Sequence, residues 1–582
     1  MSERWTRTTR PVVMGTKYMV STGHYSASLA ATRILDRGGN AIDAGVAAGL
    51  CLNVLQSDLT SIGGVAPICL YLPATERVLT ISGLGPWPKG TDVAFFDEHL
   101  DGRISAGPNR SVVPSAVAAW LTALEQFGTM TLAEVAAPAI ELAAEGFPVH
   151  QLMNETLSVP ADLANMRKWP STAEIFLDEN GDPHPVGHIF VQADLARTLT
   201  RLVEAESAST GTREQGIAAA RDRYYRGDIA EEMVSFSRSQ GGWLSAADLA
   251  EFEVDIEDAY RVDYRGCDVY SCGPWSQGPQ VLQTLNILEG YDFGEIELGS
   301  ADYYHLILES LKATFADRDR YYGDPKFVEV PMDGLLSKEY ASEWRKRIDM
   351  RKATPEMPAP GDAWQFSSAT EKTPSSWVHP GAGGGRIEPD TSYLAIVDNE
   401  GNAFSATPSD GPTGTPIVPG LGTIISGRGL QSWVDPRHPS SVLPGKRPRL
   451  TPNPGMVIKK GQFVMPYGTP GADVQPQAMV QFLVNALDYG LEVQAAAEGP
   501  RAVTYSFPNT SDPHVYLPGA VKLESRAGED VAAELSERGH RVELWPAWSR
   551  VAGSIGAVRA ESGKRLYLGA ADPRRSAYAL GW

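Results

Sequence analysis

The spacing of apolar and polar positions divides the chain into two unlike parts. Residues 24–50, "HYSASLAATRILDRGGNAIDAGVAAGL", carry small and apolar residues at helical spacing. They predict a helix, a stop at Gly38-Gly39, and a second, Ala-rich helix capped by Asn40 or Asp43. An apolar strand, "APICLYLP", follows the pair Gly63-Gly64, and residues 114–146 give two more helices, each ending at glycine. Similar helical patterns recur at 191–206, 245–252, 279–289 and 301–321, so the first 350 residues read as helical with few strands. Residues 351–389 have no hydrophobic period; their Pro, Gly, Ser and Thr content predicts a mobile linker. From 391 the pattern turns strand-like. "TSYLAIVD", "NAFSATPS", "GMVIKKGQFVMPYG", "HVYLPGAVKLE", "HRVELWP" and "GSIGAVRA" read as strands, with one long helix, "QPQAMVQFLVNALDYG", among them.

Composition narrows the function classes. The chain has 582 residues, 42% hydrophobic and 21% charged, with no apolar run near the roughly 20 residues that span a bilayer. Its first residues contain no apolar signal-like core, and four cysteines are too few for a disulfide framework. A reduced, cytoplasmic location is the expectation. A net charge of −20 speaks against a nucleic-acid partner, because phosphate binding needs a basic stripe. No nucleotide-binding loop, zinc-protease motif or serine-hydrolase elbow occurs, and the ten histidines lack metal-ligand spacing. Neither cofactor nor metal is expected; a small-molecule substrate is.

The chemistry that remains lies at the joint between the two parts. In "EPDTSYLAIVDNEGNAFSATPSD", Asp390-Thr391 ends the linker and Ser409 ends the second strand. Locally this is a turn before a hairpin. It is also what an N-terminal nucleophile requires: a cut before Thr391 would free an α-amine, whose pKa of about 7.7–8.0 makes it a base for the neighbouring hydroxyl.

Several blocks, in order, carry a resemblance to a known family. They include "GGNAIDAGVAAGL", "SIGGVA", "VPSAVAAWLTALEQFGTMTLAEVAAPAIELAAEGFPV", "FADRDRYYGDP", "DTSYLAIVDNEGNAFSAT", "GKRPRLTPNP", "YGTPGADVQPQ" and "AADPRRSAYALGW". From about residue 20 onward the chain resembles the γ-glutamyltransferase family of N-terminal-nucleophile hydrolases. The resemblance implies an α+β fold, a four-layer αββα sandwich. It also implies autocleavage of a precursor between Asp390 and Thr391, giving a large chain, 1–390, and a small chain, 391–582, within one catalytic domain. Thr391 would be the nucleophile, Ser409 its hydroxyl partner, and the backbone N–H groups of Gly471 and Ala472 the oxyanion hole. A dimer of such αβ units is left open, as is the choice of water or an amine as acyl acceptor.

The family's glutamate clamp is not matched. Leu84 stands where an arginine grips the α-carboxylate, and Leu450 and Thr451 stand at a serine pair. Gly411 replaces an asparagine, and Leu430-Gln431 replace the aspartate that holds the ammonium. An uncharged leucine cannot form the two-pronged bond that a carboxylate favours. The expectation is a hydrolase for a small non-glutamyl amide, with Arg428 as a substitute anion contact and Asp473 and Gln475 as polar neighbours or helix caps. Trp87 and Trp433 would wall an apolar pocket or belong to the core. Three other readings stand beside it: a γ-glutamyl hydrolase or transferase with a relocated clamp, a C–C bond hydrolase, and a non-catalytic binding protein.

Overall fold

The computed structural model describes residue 5, residues 7–370 and residues 391–582. Asp390 and the glycine cluster before it lie outside the described residues.

Two antiparallel sheets of seven strands each form the centre. The strands, in chain order, are β1 (Val13–Gly15), β2 (Met19–Thr22), β3 (Ile68–Leu72), β4 (Arg77–Ile81), β5 (Ile256–Asp258), β6 (Tyr260–Tyr264) and β7 (Cys267–Ser271). Beyond the joint follow β8 (Leu394–Val397), β9 (Ala403–Ala406), β10 (Gly455–Lys459), β11 (Phe463–Gly468), β12 (Gly556–Glu561), β13 (Leu566–Ala571) and β14 (Tyr578–Gly581). The first sheet runs β1-β13-β12-β11-β10-β7-β6, and the second β14-β2-β8-β9-β3-β4-β5. Each sheet therefore draws strands from both sides of residue 390.

Strand β8 shows why the layers stack. Side chains alternate across a strand. Leu394 and Ile396 face a core shared with helices α1 (Tyr25–Asp36), α2 (Ala41–Leu55), α3 (Ala116–Phe127) and α4 (Leu132–Glu145). Ala395 and Val397 face the other way, against Met456 and Val558 of the first sheet. The far side of that sheet is covered by α5 (Gly278–Leu288), α6 (Ala301–Tyr321) and α7 (Gln475–Leu487). Helices, sheet, sheet, helices: the fold is the expected αββα sandwich.

Asn40 caps α2, and Asp43 completes the box by accepting from the Asn40 backbone, so both candidate caps act together. Other expectations need correction. The first part holds nine strands among the described residues, not few, counting the short pair Phe147–Pro148 and Ile189–Phe190. They are two to five residues long, and β2, β3 and β4 are largely buried on both faces, which hides a period of two. The second part holds two further α-helices, Val493–Glu498 and Glu529–Glu537, besides α7. The expected mobile linker also starts too early. Residues 351–370 are packed: Lys312 Nζ donates to the Thr354 carbonyl (2.7 Å), Gly361 N to Asp317 Oδ1 (3.1 Å), and Ala363 is fully buried.

Candidate active site

Thr391 lies three residues before β8, and its side chain is fully buried. Its Oγ1 lies 2.7 Å from Ser409 Oγ. The β8–β9 hairpin sets this distance. Leu394 pairs with Ala406, and beyond the ladder Ser392 N donates to the Pro408 carbonyl (2.9 Å). Ser409 is held in turn by Val65, with which it exchanges two backbone hydrogen bonds (3.0 and 3.2 Å). The loop "SIGGVA" therefore fixes the partner hydroxyl. Gly64 is needed there, since a Cβ would stand 2.3 Å from the Ser409 carbonyl oxygen.

Thr391 has a φ of 132°. A β-branched residue enters that region only at a cost of roughly 1–3 kcal/mol. Beside it lies a cavity of about 10 Å³, lined by Thr391, Ser392, Gln56, Pro470 and Arg575, among others. Pro470 belongs to the turn that carries Gly471 and Ala472, so that turn is brought next to Thr391. Gly471 has φ 129° and Ala472 φ 49°. Among the described residues neither N–H donates to a backbone carbonyl. Arg575 Nη1 donates to the Thr391 carbonyl (3.3 Å).

The residues after Ser409 line a cleft of about 660 Å³. Asp58, Arg110, Asp162, Asp410, Gly411 and Arg428 are part of its wall. Gly411 does not leave an empty place where a side chain is missing. A Cβ there would stand 2.2 Å from the Asp58 carbonyl oxygen, so the Asp58 backbone closes the position. Arg428 reaches inward, its Nη2 donating to Ser409 Oγ at 2.5 Å, with its Nε 3.8 Å from Asp410 Oδ2.

Of the other clamp positions, Leu430 also lines this cleft, as an apolar side chain, while Leu84, Gln431, Leu450 and Thr451 lie away from it. Leu84 and Leu450 meet in one buried apolar cluster with Val65, Cys272 and Trp275. Gln431 and Thr451 satisfy each other: Gln431 Nε2 donates to Thr451 Oγ1 (2.8 Å), and Thr451 N to Gln431 Oε1 (3.2 Å). Asp473 gives one carboxylate oxygen to Arg318 and Thr510 Oγ1 and the other to Thr510 N. It thus braces the Gly471-Ala472 turn rather than lining the cleft. Helix α7 has no side-chain cap, so neither Asp473 nor Gln475 caps it; Gln475 Oε1 accepts from Asn453 N (3.2 Å). Trp87 belongs to a core cluster and donates to Ser432 Oγ (2.9 Å), and Trp433 stacks on His438 and His514.

Sequence alone does not point to Asp58 or Arg575. Arg575 sits in the block "AADPRRSAYALGW", but nothing local links it to Thr391. Asp58 is the more unusual group. It is 2% exposed, and neither carboxylate oxygen makes a hydrogen bond of good geometry among the described residues. Burial raises its carboxyl above the ordinary 3.8, against the weaker pulls of His150, Thr156 and Arg575. A raised value in the folded state means that stability falls as pH rises from the ordinary aspartate value through the raised one. Asp58→Asn is therefore expected to raise the thermal midpoint at pH 8. The gain should shrink as pH is lowered toward the ordinary aspartate range. A lower midpoint at pH 8 would show that the carboxylate stabilises the fold.

Known proteins resemble the chain over its whole length. It is 32% identical over 576 residues to the glutathione hydrolase-like YwrD proenzyme of Bacillus subtilis (strain 168), covering 98% of this chain and 99% of that one. It is 34% identical over 561 residues to the acylase ACY 1 proenzyme of Pseudomonas sp. (strain SE83), covering 94% and 90%. The crystal structure of cephalosporin acylase from Bacillus halodurans superposes with a TM-score of 0.82 at 27% identity, covering 99% of this chain and 98% of that one. Residues 27–582 match the family profile described as Gamma-glutamyltranspeptidase, and the chain belongs to the gamma-glutamyltranspeptidase family.

Proposed function

We propose that this hydrolase is an autoprocessing N-terminal threonine enzyme that cleaves an amide of a small, non-glutamyl substrate through an acyl-Thr391 intermediate. The observation that carries the proposal is the buried pair Thr391 Oγ1–Ser409 Oγ at 2.7 Å, at the first residue of the expected small chain. Cleavage before Thr391 frees its amine. The amine takes the Oγ1 proton, the oxygen attacks the substrate carbonyl, and the Gly471 and Ala472 N–H groups receive the oxyanion. The protonated amine then gives its proton to the leaving nitrogen, and the C–N bond breaks. Water, deprotonated by the same amine, attacks the ester and releases the acid.

The substrate reading rests on what replaces the clamp. Leu84 and Leu450 bury each other in an apolar cluster, Gln431 and Thr451 are engaged with each other, and Gly411 abuts a carbonyl. None of these suits an α-carboxylate or an α-ammonium, which would be left without a charged partner. The name of the acylase relative fits this reading. A γ-glutamyl substrate held by other charges is the second reading, favoured by Arg110, Arg428 and Asp58 in the cleft and by the name of the glutathione hydrolase-like relative.

Denaturing electrophoresis with N-terminal sequencing tests the processing: two bands are expected, the smaller beginning at Thr391. A panel of p-nitroanilides tests the substrate. Turnover of the γ-glutamyl anilide is expected to lie about 10³-fold or more below that of the best neutral acyl anilide, because charged groups without partners cost several kcal/mol. Comparable turnover of the two would sink the non-glutamyl reading.

A further inference from the structure

The hydrogen bonds that end on Thr391 have a fixed direction. A guanidinium has donors only, so the Ser409 hydroxyl must accept from Arg428 Nη2, at 2.5 Å. Ser409 has a single hydroxyl proton, and its other side-chain contact among the described residues is Thr391 Oγ1, 2.7 Å away. The proton of Ser409 therefore points at Thr391, and the Thr391 oxygen accepts. Its own proton is left to point elsewhere, toward the amine that cleavage would create.

All three side chains are buried: Thr391 and Ser409 fully, and Arg428 at 2% exposure. Away from water a fixed charge acts at its strongest, and each hydrogen bond in a chain polarises the next. The guanidinium is also braced. Asp410 stands 3.8 Å from its Nε, and the same Asp410 oxygen accepts from Ser426 Oγ (2.6 Å) and Gly427 N (2.9 Å). Asp410 itself has φ 95°, a conformation kept only where the surroundings enforce it.

We propose that Arg428 is a positioning residue that acts on the nucleophile through Ser409, rather than the contact for a substrate anion that its place in the sequence suggests. It makes Ser409 the donor to Thr391 Oγ1 and leaves the Thr391 proton for transfer to the α-amine. It also stabilises negative charge on Oγ1 as that proton departs and the C–O bond to the substrate forms. The proposal rests on Thr391 being the nucleophile.

Self-cleavage separates the two roles: no external substrate takes part in it, and because the Thr391 nitrogen is still an amide there, Arg428 acts on it only by stabilising the charge on Oγ1 as its proton leaves to water. In a pulse-labelled cell-free translation, Arg428→Gln is expected to slow the splitting of the precursor by about tenfold or more, with Arg428→Lys recovering much of the rate. On processed enzyme, Arg428→Gln is expected to lower kcat with KM little changed. Combined with Ser409→Ala it should cost little beyond Ser409→Ala alone, since both act along one path. Self-cleavage at the wild-type rate, with a raised KM and additive effects, would assign Arg428 to the substrate and overturn the proposal. A wild-type precursor that does not split before Thr391 would instead remove the nucleophile reading, and this proposal with it.

Discussion

Thr391→Ala is expected to yield a single uncut polypeptide that neither splits nor turns over any amide. The fold should survive, because the lost hydroxyl makes one side-chain hydrogen bond among the described residues, to Ser409. The chemistry should not. Without Oγ1 no ester forms at the Asp390 carbonyl, no α-amine is released, and no acyl-enzyme can follow. Loss of a covalent nucleophile costs on the order of 10⁴-fold or more in kcat. Thr391→Ser restores a hydroxyl and is expected to recover both cleavage and turnover at reduced rates. Mass spectrometry of the intact protein reads the first outcome, and anilide hydrolysis the second. A Thr391→Ala protein that still divides before residue 391 would disprove the mechanism. The φ of 132° at Thr391 would favour the proposed cut, because a strained torsion at that residue would be released by it.

Asp572→Ala should have the largest effect on stability. Asp572 is fully buried and accepts from Arg501 Nη2 (2.5 Å) and Arg574 Nη1 (2.9 Å), while Arg574 Nη2 also donates to the buried Glu524 (2.6 Å). Burial alone would raise the Asp572 carboxyl, but Arg574 and Arg501 more than offset it and hold the carboxyl below the ordinary range. Removing the aspartate strips two buried arginines of a shared counter-charge, a change expected to cost about 3–5 kcal/mol. Denaturant unfolding measures this; a loss below about 1 kcal/mol would mean that the arginines find other partners. The sign for pH follows from the lowered value: the stability that Asp572 contributes is present above its ordinary pKa and is lost as pH falls through the folded-state value. Arg575, next to Arg574, holds the Thr391 carbonyl, so activity should fall together with stability.

The elements legible in the sequence are those with a clear period or a clear stop. Helix α4 shows both: an apolar stripe, and Gly146, which ends it at φ 86°. The β8–β9 hairpin is marked by Asp398-Asn399-Glu400-Gly401 between two apolar runs. Strands such as β2, four residues long and buried throughout, carry no such mark among helices. Strands β13 and β14 lie in and beside a block that reads only as a family signature. At the site, Leu84 and Leu450 are visible as apolar residues in polar places, but their meeting in one cluster depends on the folding of distant segments. Arg428 is visible as a charge; its aim at Ser409 is set by the hairpin and by Asp410, which no local pattern encodes.

The mixed origin of the two sheets bears on how the protein is assembled. Strand β8, from after the joint, pairs with β2, from before it, so neither product of the proposed cleavage contains a complete second sheet. In the uncut chain every such pairing is intramolecular, and closing even a long loop adds only a modest entropy cost. Once the chain is cut, the same pairings form between two molecules. Reassembly from denaturant then becomes second order and slows on dilution, while the folded pair is held by the cores that its layers share. Chain continuity would serve as a scaffold that is needed for assembly and dispensable afterwards, and maturation would be a one-way step.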